Sequence, residues 1–148
     1  YERMTEKLIR AQIHETDYDR ICYRLYGYDD TNKDRLFLSG ASYIIYKKKD
    51  FRWIQIADVI TEEQYRGRGY APAILRIMLI DIRKRFPKGT NLFLLVDREN
   101  LTAIKIYLDI RFEIRFAIYN EGISYYVMTL STQRSVKQLK SINLLSLY

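Results

Sequence analysis

The 148-residue sequence predicts an α/β fold, a single domain built on a mixed sheet of about six or seven strands with helices on both faces. Three observations point there. Ala71, Ile74, Leu75, Met78, Leu79, Ile82 and Phe86 recur at i, i+3, i+4 and i+7, the mark of a helix packed along one face. LFLLV, Leu92 to Val96, is an unbroken apolar run, expected of a strand buried on both faces and commonly of a parallel one. FEIRFAIY and SYYVMTL then flank Asn120 to Gly122 and read as a closing hairpin. A bundle would lack the strands and a sandwich would lack the helix. The length suits one domain with a full core.

Taken in order, LIRAQI, Leu8 to Ile13, forms a first strand. Thr16 and Asp19 then have capping-box spacing, and Tyr18, Ile21, Cys22 and Leu25 fall at helical spacing with Gly27 as a stop, so a helix is expected there. Two short strands follow, Arg35 to Leu38 and Ser42 to Tyr46, separated by Ser39 and Gly40. Lys47, Lys48, Lys49 and Asp50 make a charged turn. FRWIQIADVIT is rich in aromatic and β-branched residues and reads as a long strand ending at Thr61. The helix that begins near Ala71 is closed by Pro87 and Gly89. Asn100 caps a second helix containing Ala103, Ile104, Tyr107 and Leu108, after which Phe112, Ile114, Phe116 and Ile118 share one strand face. Residues 1–130 make the domain. Residues 131–148 form a tail, apolar at Val136, Leu139, Ile142 and Leu145, that can dock as an amphipathic helix on the domain or on a second subunit; a homodimer stays open.

Hydrophobic and charged fractions of 48% and 29% fit an ordinary globular protein and argue against disorder. The net charge of +7 favours anionic partners without choosing among nucleic acid, an acidic protein surface and a phosphorylated cofactor. Nucleic acid is not favoured, because Trp53 and the scattered tyrosines give no stacking pattern for single strands. His14 is the sole histidine and there is no CxxC pair, so no metal is expected. Apolar runs are too short for a bilayer, and no membrane partner is expected. Glu2, Arg3, Glu6 and Lys7 interrupt any signal-peptide pattern, and the lone Cys22 suits a reducing compartment; both lead to a cytoplasmic expectation. Lys47 to Lys49, Glu62 and Glu63 read as solvated charges, and His14 as a surface residue. Asp97, Arg98 and Glu99 make a polar loop that could line an acceptor cleft.

The stretch EEQYRGRGYAPAIL, Glu62 to Leu75, joins the long strand to the first helix of the pattern. Such a turn leaves backbone NH groups converging on one spot, with the helix dipole adding positive potential, and that spot suits a phosphate. Gly67 and Gly69 let the backbone approach an anion, Arg66 and Arg68 add charge, and Pro72 fits the first helical turn, where no NH is needed. A nucleoside-triphosphate loop would need Gly-Lys-Ser/Thr, which is absent; a dinucleotide fingerprint would need a third glycine, where Pro72 stands.

These residues resemble the GNAT superfamily of acyl-coenzyme A dependent N-acetyltransferases. The family signature, Gln or Arg, two residues, Gly, one residue, Gly or Ala, occurs in two overlapping registers, Gln64, Gly67, Gly69 and Arg66, Gly69, Ala71. The second places Ile74 and Leu75 at the family's paired aliphatic positions. Downstream, Asn100, Ala103, Tyr107 and Phe112 match the next family motif, with Arg111 in place of its glycine. The resemblance covers about Leu8 to Leu130, with specific motifs from Val59 to Phe112.

The resemblance implies a GNAT-like sheet that splays open after the strand ending at Thr61, and an acetyl-coenzyme A (acetyl-CoA) co-substrate in the cleft. Backbone groups of Val59, Ile60 and Thr61 would bind pantetheine like an added strand. The turn from Arg66 through Gly67, Arg68, Gly69, Tyr70, Ala71 and Pro72 would hold the pyrophosphate, with Asn100 and Tyr107 completing the cofactor-binding set. A primary amine, of a small molecule or a protein, would attack the thioester directly in a ternary complex. Tyr107 matches the tyrosine that serves as general acid or sulfur partner. Asp58 is the candidate base: alternation sets it on the face of Ile54, Ile56 and Ile60, where aliphatic burial would raise its pKa. It also resembles an aspartate of the polyamine and aminoglycoside branches, although Ala57 replaces the carboxylate that commonly precedes it. Arg111, Ala57 and the positive charge support an alternative, a non-catalytic GNAT-fold protein that binds or inhibits an acidic protein or a nucleic acid.

Overall fold

A computed structural model describes residues 4–29, 34–130 and 136–144. Strands β1 (Met4–His14), β2 (Tyr18–Asp29), β3 (Arg35–Tyr46) and β4 (Ile54–Thr61) form an antiparallel meander. A single 3-10 turn, Glu63–Tyr65, leads from β4 into helix α1 (Tyr70–Arg85). Strand β5 (Leu92–Asp97), helix α2 (Leu101–Asp109) and the hairpin of β6 (Glu113–Asn120) and β7 (Ile123–Leu130) follow, then a short helix α3 (Lys137–Lys140). The seven strands lie in the order β1-β2-β3-β4-β5-β7-β6. Every adjacent pair is antiparallel but one: β4 and β5, joined through α1, run parallel.

One face of the sheet packs against α1 and α2. Ile21 and Tyr23 of β2, Ile54 and Ile56 of β4 and Leu92 and Leu94 of β5 meet Leu75, Met78 and Ile82 of α1 and Ile104 and Tyr107 of α2. On the other face Ile44, Phe51, Trp53, Phe93 and Val127 are covered by Leu139 and Leu144. Strand β5 is thus buried on both faces, as its unbroken apolar run requires. Within the tail, the described residues 136–144 hold one helical turn that seats Leu139; residues 131–135 and 145–148, Leu145 among them, lie outside the described residues. No helix among the described residues is long and apolar enough to cross a membrane.

Three local expectations fail. Residues 16–27 do not form a helix: Tyr18–Asp29 is β2, paired along its length with β1 and β3. The segment carries period two as well as period 3.6, since Ile21, Tyr23 and Leu25 share the face beneath α1. Aromatic and β-branched residues fit a sheet flanked on both sides, and tertiary pairing decided between the periods. Asp19, read as part of a cap, instead lies 2.8 Å from His14 Nδ1 and 3.2 Å from Lys47 Nζ.

The two short strands before Lys47 are one, β3, because Ser39 and Gly40 stay in the ladder. A Cβ on Gly40 would lie 2.9 Å from the Tyr23 carbonyl oxygen, so close strand approach, and not a turn, requires this glycine. Lastly, Phe112 to Ile118 do not share a face. A bulge lies between Ile114, opposite Met128, and Phe116, opposite Val127. It shifts the phase: Phe112 packs with Tyr107, Ile114 is exposed, and Phe116 and Ile118 join the opposite core.

Candidate functional site

Strands β4 and β5 pair only at Ile54–Leu92 and Gln55–Phe93, then part. The cause lies in β4. Ala57 faces Ser42 and Ile60 faces Gly40, so Asp58 and Val59 together oppose the single Ala41. Asp58 takes the left-handed conformation at φ 54°, which aspartate tolerates better than most residues. Such a bulge bends its strand, and beyond it the sheet holds a cleft of about 710 Å³, a size suited to a cofactor. Residues 56–61 of β4 form one wall, Leu95, Val96 and Asp97 of β5 the other, and the glycine turn and α2 close the ends.

At the turn, Arg66 Nε donates to the Thr61 carbonyl at 3.1 Å and ties the loop to the end of β4. Gly67 and Gly69 adopt φ 79° and 82°, and nothing lies within 4 Å of a Cβ placed on either. Backbone conformation therefore requires glycine here, and the open space above it is where an anion can come close. Gly69 is the N-cap of α1, and the first backbone bond into the helix is from Ala73 N to Gly69 O at 3.2 Å. The amides ahead of it, from Gly67 to Ala71, are those an anion at the helix start meets, and Pro72 needs no partner. The Tyr70 hydroxyl donates to the Glu6 carboxylate of β1, a bond that raises the phenol pKa and pins the helix start to the meander.

The opposite wall is set by Asn100, whose Oδ1 accepts from Ala103 N at 3.2 Å and starts α2. Tyr107, on the inner side of α2, lines the cleft at 7% exposure; burial pushes its phenol pKa up to about 12, so it keeps its proton at neutral pH. The corner after α2 keeps the left-handed backbone that a glycine would supply, with Arg111 at φ 87° and Arg111 N donating to Leu108 O at 3.0 Å. Phe112 N donates to Tyr107 O at 3.0 Å, so the motif keeps its shape despite the arginine.

Of the residues singled out from sequence, the structure gathers Asp58, Val59, Ile60, Thr61, Arg66, Gly67, Gly69, Tyr70, Ala71, Pro72, Asn100 and Tyr107 around this one cleft. Arg68 is not among them: its guanidinium lies 5.3 Å from the Tyr65 ring centroid. Asp58 reaches the cleft differently from expectation. The bulge breaks the alternation, Ile60 is itself 50% exposed, and the Asp58 side chain is 54% exposed and ion-paired with Arg20. It is a rim carboxylate and not one enclosed by aliphatic groups.

Asp97 is a second carboxylate on the lining, its Oδ1 accepting from Glu99 N at 2.9 Å, while Arg98 turns away over the Tyr126 ring. Tyr65, Thr102 and Ile106 also line the cleft and were not anticipated. Tyr65 had a sequence signal, an aromatic residue leading directly into the glycine turn; the two on α2 follow only once the helix phase is known. Among the described residues no three His, Cys, Asp or Glu side chains group to hold a metal.

The family model of the acetyltransferase (GNAT) family matches residues 7–110. No curated protein sequence matches. Among solved structures, the NatC complex bound to Gag peptide and CoA aligns with TM-score 0.64 at 16% identity, over 76% of this chain and 71% of that one. NAA60 of Arabidopsis thaliana in complex with acetyl-CoA aligns with TM-score 0.59 at 16% identity, over 79% and 77%. The ribosomal-protein-S18-alanine N-acetyltransferase of Escherichia coli gives TM-score 0.59 at 17% identity, over 84% and 75%. At these identities the likeness is one of fold.

Proposed function

Since the chain belongs to the acetyltransferase (GNAT) family, we propose that it transfers an acetyl group from acetyl-CoA to a primary amine, by direct attack within a ternary complex. The observation that carries this reading is the single cleft between the parted ends of β4 and β5, which joins an amide-lined turn to a buried, protonated tyrosine. In this reading the amides from Gly67 to Ala71, with Arg66, hold the pyrophosphate, and the free edge of β4 from Val59 to Thr61 pairs with the pantetheine amides. Solved complexes of fold neighbours with CoA and acetyl-CoA support that co-substrate.

The acceptor enters past Asp58 and Asp97, whose charges attract an ammonium group. Asp58, exposed and held by Arg20, takes up the amine's proton through solvent. The freed nitrogen forms the new N–C bond, the C–S bond breaks, and Tyr107 supplies a hydrogen bond and a proton to the departing sulfur. A peptide in one neighbour and a ribosomal protein in the name of another support a protein amino group as acceptor, with small amines as the competing class.

Mass spectrometry of products formed from acetyl-CoA with a panel of small amines and of peptides with free amino ends tests the activity. Tyr107→Phe keeps the ring and its packing, so turnover falls on the order of a hundredfold while acetyl-CoA affinity holds. Binding of acetyl-CoA with no acetylated product from any acceptor would make the chain a non-catalytic binder.

A further inference from the structure

We infer that the pole of the sheet opposite the cleft binds double-helical nucleic acid through its phosphate backbone. At this pole β4 and β5 begin together at Ile54 and Leu92, and two adjoining depressions of about 560 and 540 Å³ share Phe86, Gly89 and Thr90. Lys47, Lys48, Lys49 and Arg52 line one; Arg83 and Arg111 line the other. The last turn of α1 adds Lys84 and Arg85, and Lys88 follows. All of these side chains are exposed.

Most of this charge is unspent. Lys47 reaches Asp19 at 3.2 Å, but among the described residues Lys48, Lys49, Arg52, Arg83 and Arg111 have no carboxylate within 4.0 Å. Of the lining carboxylates, Glu113 is engaged by Arg115 and Asp50 faces the cations alone. Read one segment at a time, Lys47 to Lys49 are an ordinary solvated turn. The fold sets them beside the basic end of α1 and the corner after α2, and concentrates there much of a net charge of +7.

Exposed cations that lack partners gain most from a polyanion, because each phosphate neutralised releases a counterion. The lining contributes none of the exposed large apolar side chains, so it has nothing to insert into a bilayer. Of its aromatic residues, Tyr46, Phe51 and Trp53 are buried, and the half-buried Phe86 has the Arg85 guanidinium 5.6 Å from its ring centroid. Unpaired bases need a series of exposed rings to stack on, so the lining favours a duplex over a single strand. Strand β4 runs its full eight residues from this pole to the glycine turn, about 25 Å away, so a duplex bound here leaves the proposed phosphate site clear.

The test is fluorescence anisotropy on a labelled RNA duplex of about 20 base pairs and the matching DNA duplex, between about 50 and 200 mM salt. Affinity is expected to fall by about a thousandfold across that range. The triple variant Lys48→Gln, Lys49→Gln, Arg83→Gln should bind at least about tenfold more weakly at the lower salt, with a log–log slope reduced by about three. Acetyl transfer should be unchanged in it. Tighter binding of either duplex supports the proposal and names its source. An unchanged slope in the triple variant, or tighter binding to the unpaired strand, to a polyglutamate peptide or to phosphatidylserine vesicles than to both duplexes, overturns it.

Discussion

The stretch from β4 to α2 and the meander from β1 to β3 are held in shape by different means. The first is set by local backbone chemistry: a left-handed aspartate that bends a strand, two left-handed glycines ahead of a helix, an asparagine cap and a left-handed arginine at the exit. The second has few such devices and is specified by long-range pairing along β2 and by side chains packed under α1. The candidate site is gathered in the first. Damage to local chemistry should therefore remove binding while the fold survives, and damage to the meander should weaken the fold while binding per folded molecule survives.

The largest effect is expected at Gly69→Asp. The residue sits at φ 82° with open space around it, so the variant has room to fold with backbone strain of about 1–2 kcal/mol. Its carboxylate then stands where the pyrophosphate is proposed to bind. Acetyl-CoA affinity should fall on the order of a hundredfold, about 2.7 kcal/mol, in calorimetry on a protein whose circular dichroism is native. Unchanged affinity would place the phosphate elsewhere and break the comparison at its stronger side.

Gly40→Ala is the counterpart in the meander. The added methyl meets the Tyr23 carbonyl at 2.9 Å and the Phe37 ring at 3.2 Å, and a strand carbonyl cannot step aside as a flexible side chain can. Urea unfolding should show a loss of about 1–3 kcal/mol. Acetyl-CoA should bind the folded fraction as before; a loss of affinity without a loss of stability would show that β3 shapes the cleft more directly than its pairing suggests.

The same division explains what could be read from the sequence. The glycine turn, the cap at Asn100 and the one-sided apolar repeat of α1 are local, so their residues declare them, and every residue expected at the site except Arg68 lines the cleft. Strand β2 was hidden because Tyr18, Ile21, Cys22 and Leu25 satisfy a helical period while Ile21, Tyr23 and Leu25 satisfy a strand; the neighbours that decide are far off in sequence. The exposure of Asp58 was hidden because one inserted residue shifts the phase of every side chain after it. The basic pole was hidden for a third reason: its cations come from separate segments that only the fold brings together.

Arg111 tests the boundary between the two kinds of region. It ends α2 at φ 87°, a conformation that costs a residue with a Cβ about 1–2 kcal/mol and glycine almost nothing. Arg111→Gly removes that strain but adds flexibility to the unfolded chain, which returns about 0.5–1 kcal/mol of it. The net expectation is a gain of about 0 to 1.5 kcal/mol, seen as a melting temperature higher by up to about 6 °C. Phe112 N and Tyr107 O keep their bond in either variant, so acetyl-CoA affinity and turnover should not move. Since Arg111 also lines the basic pole, the salt slope for duplex binding should fall by about one. A glycine variant that is less stable than the parent would mean that the arginine's side chain holds the corner through contacts outweighing its strain. In that case local backbone chemistry would no longer account for the shape of the site.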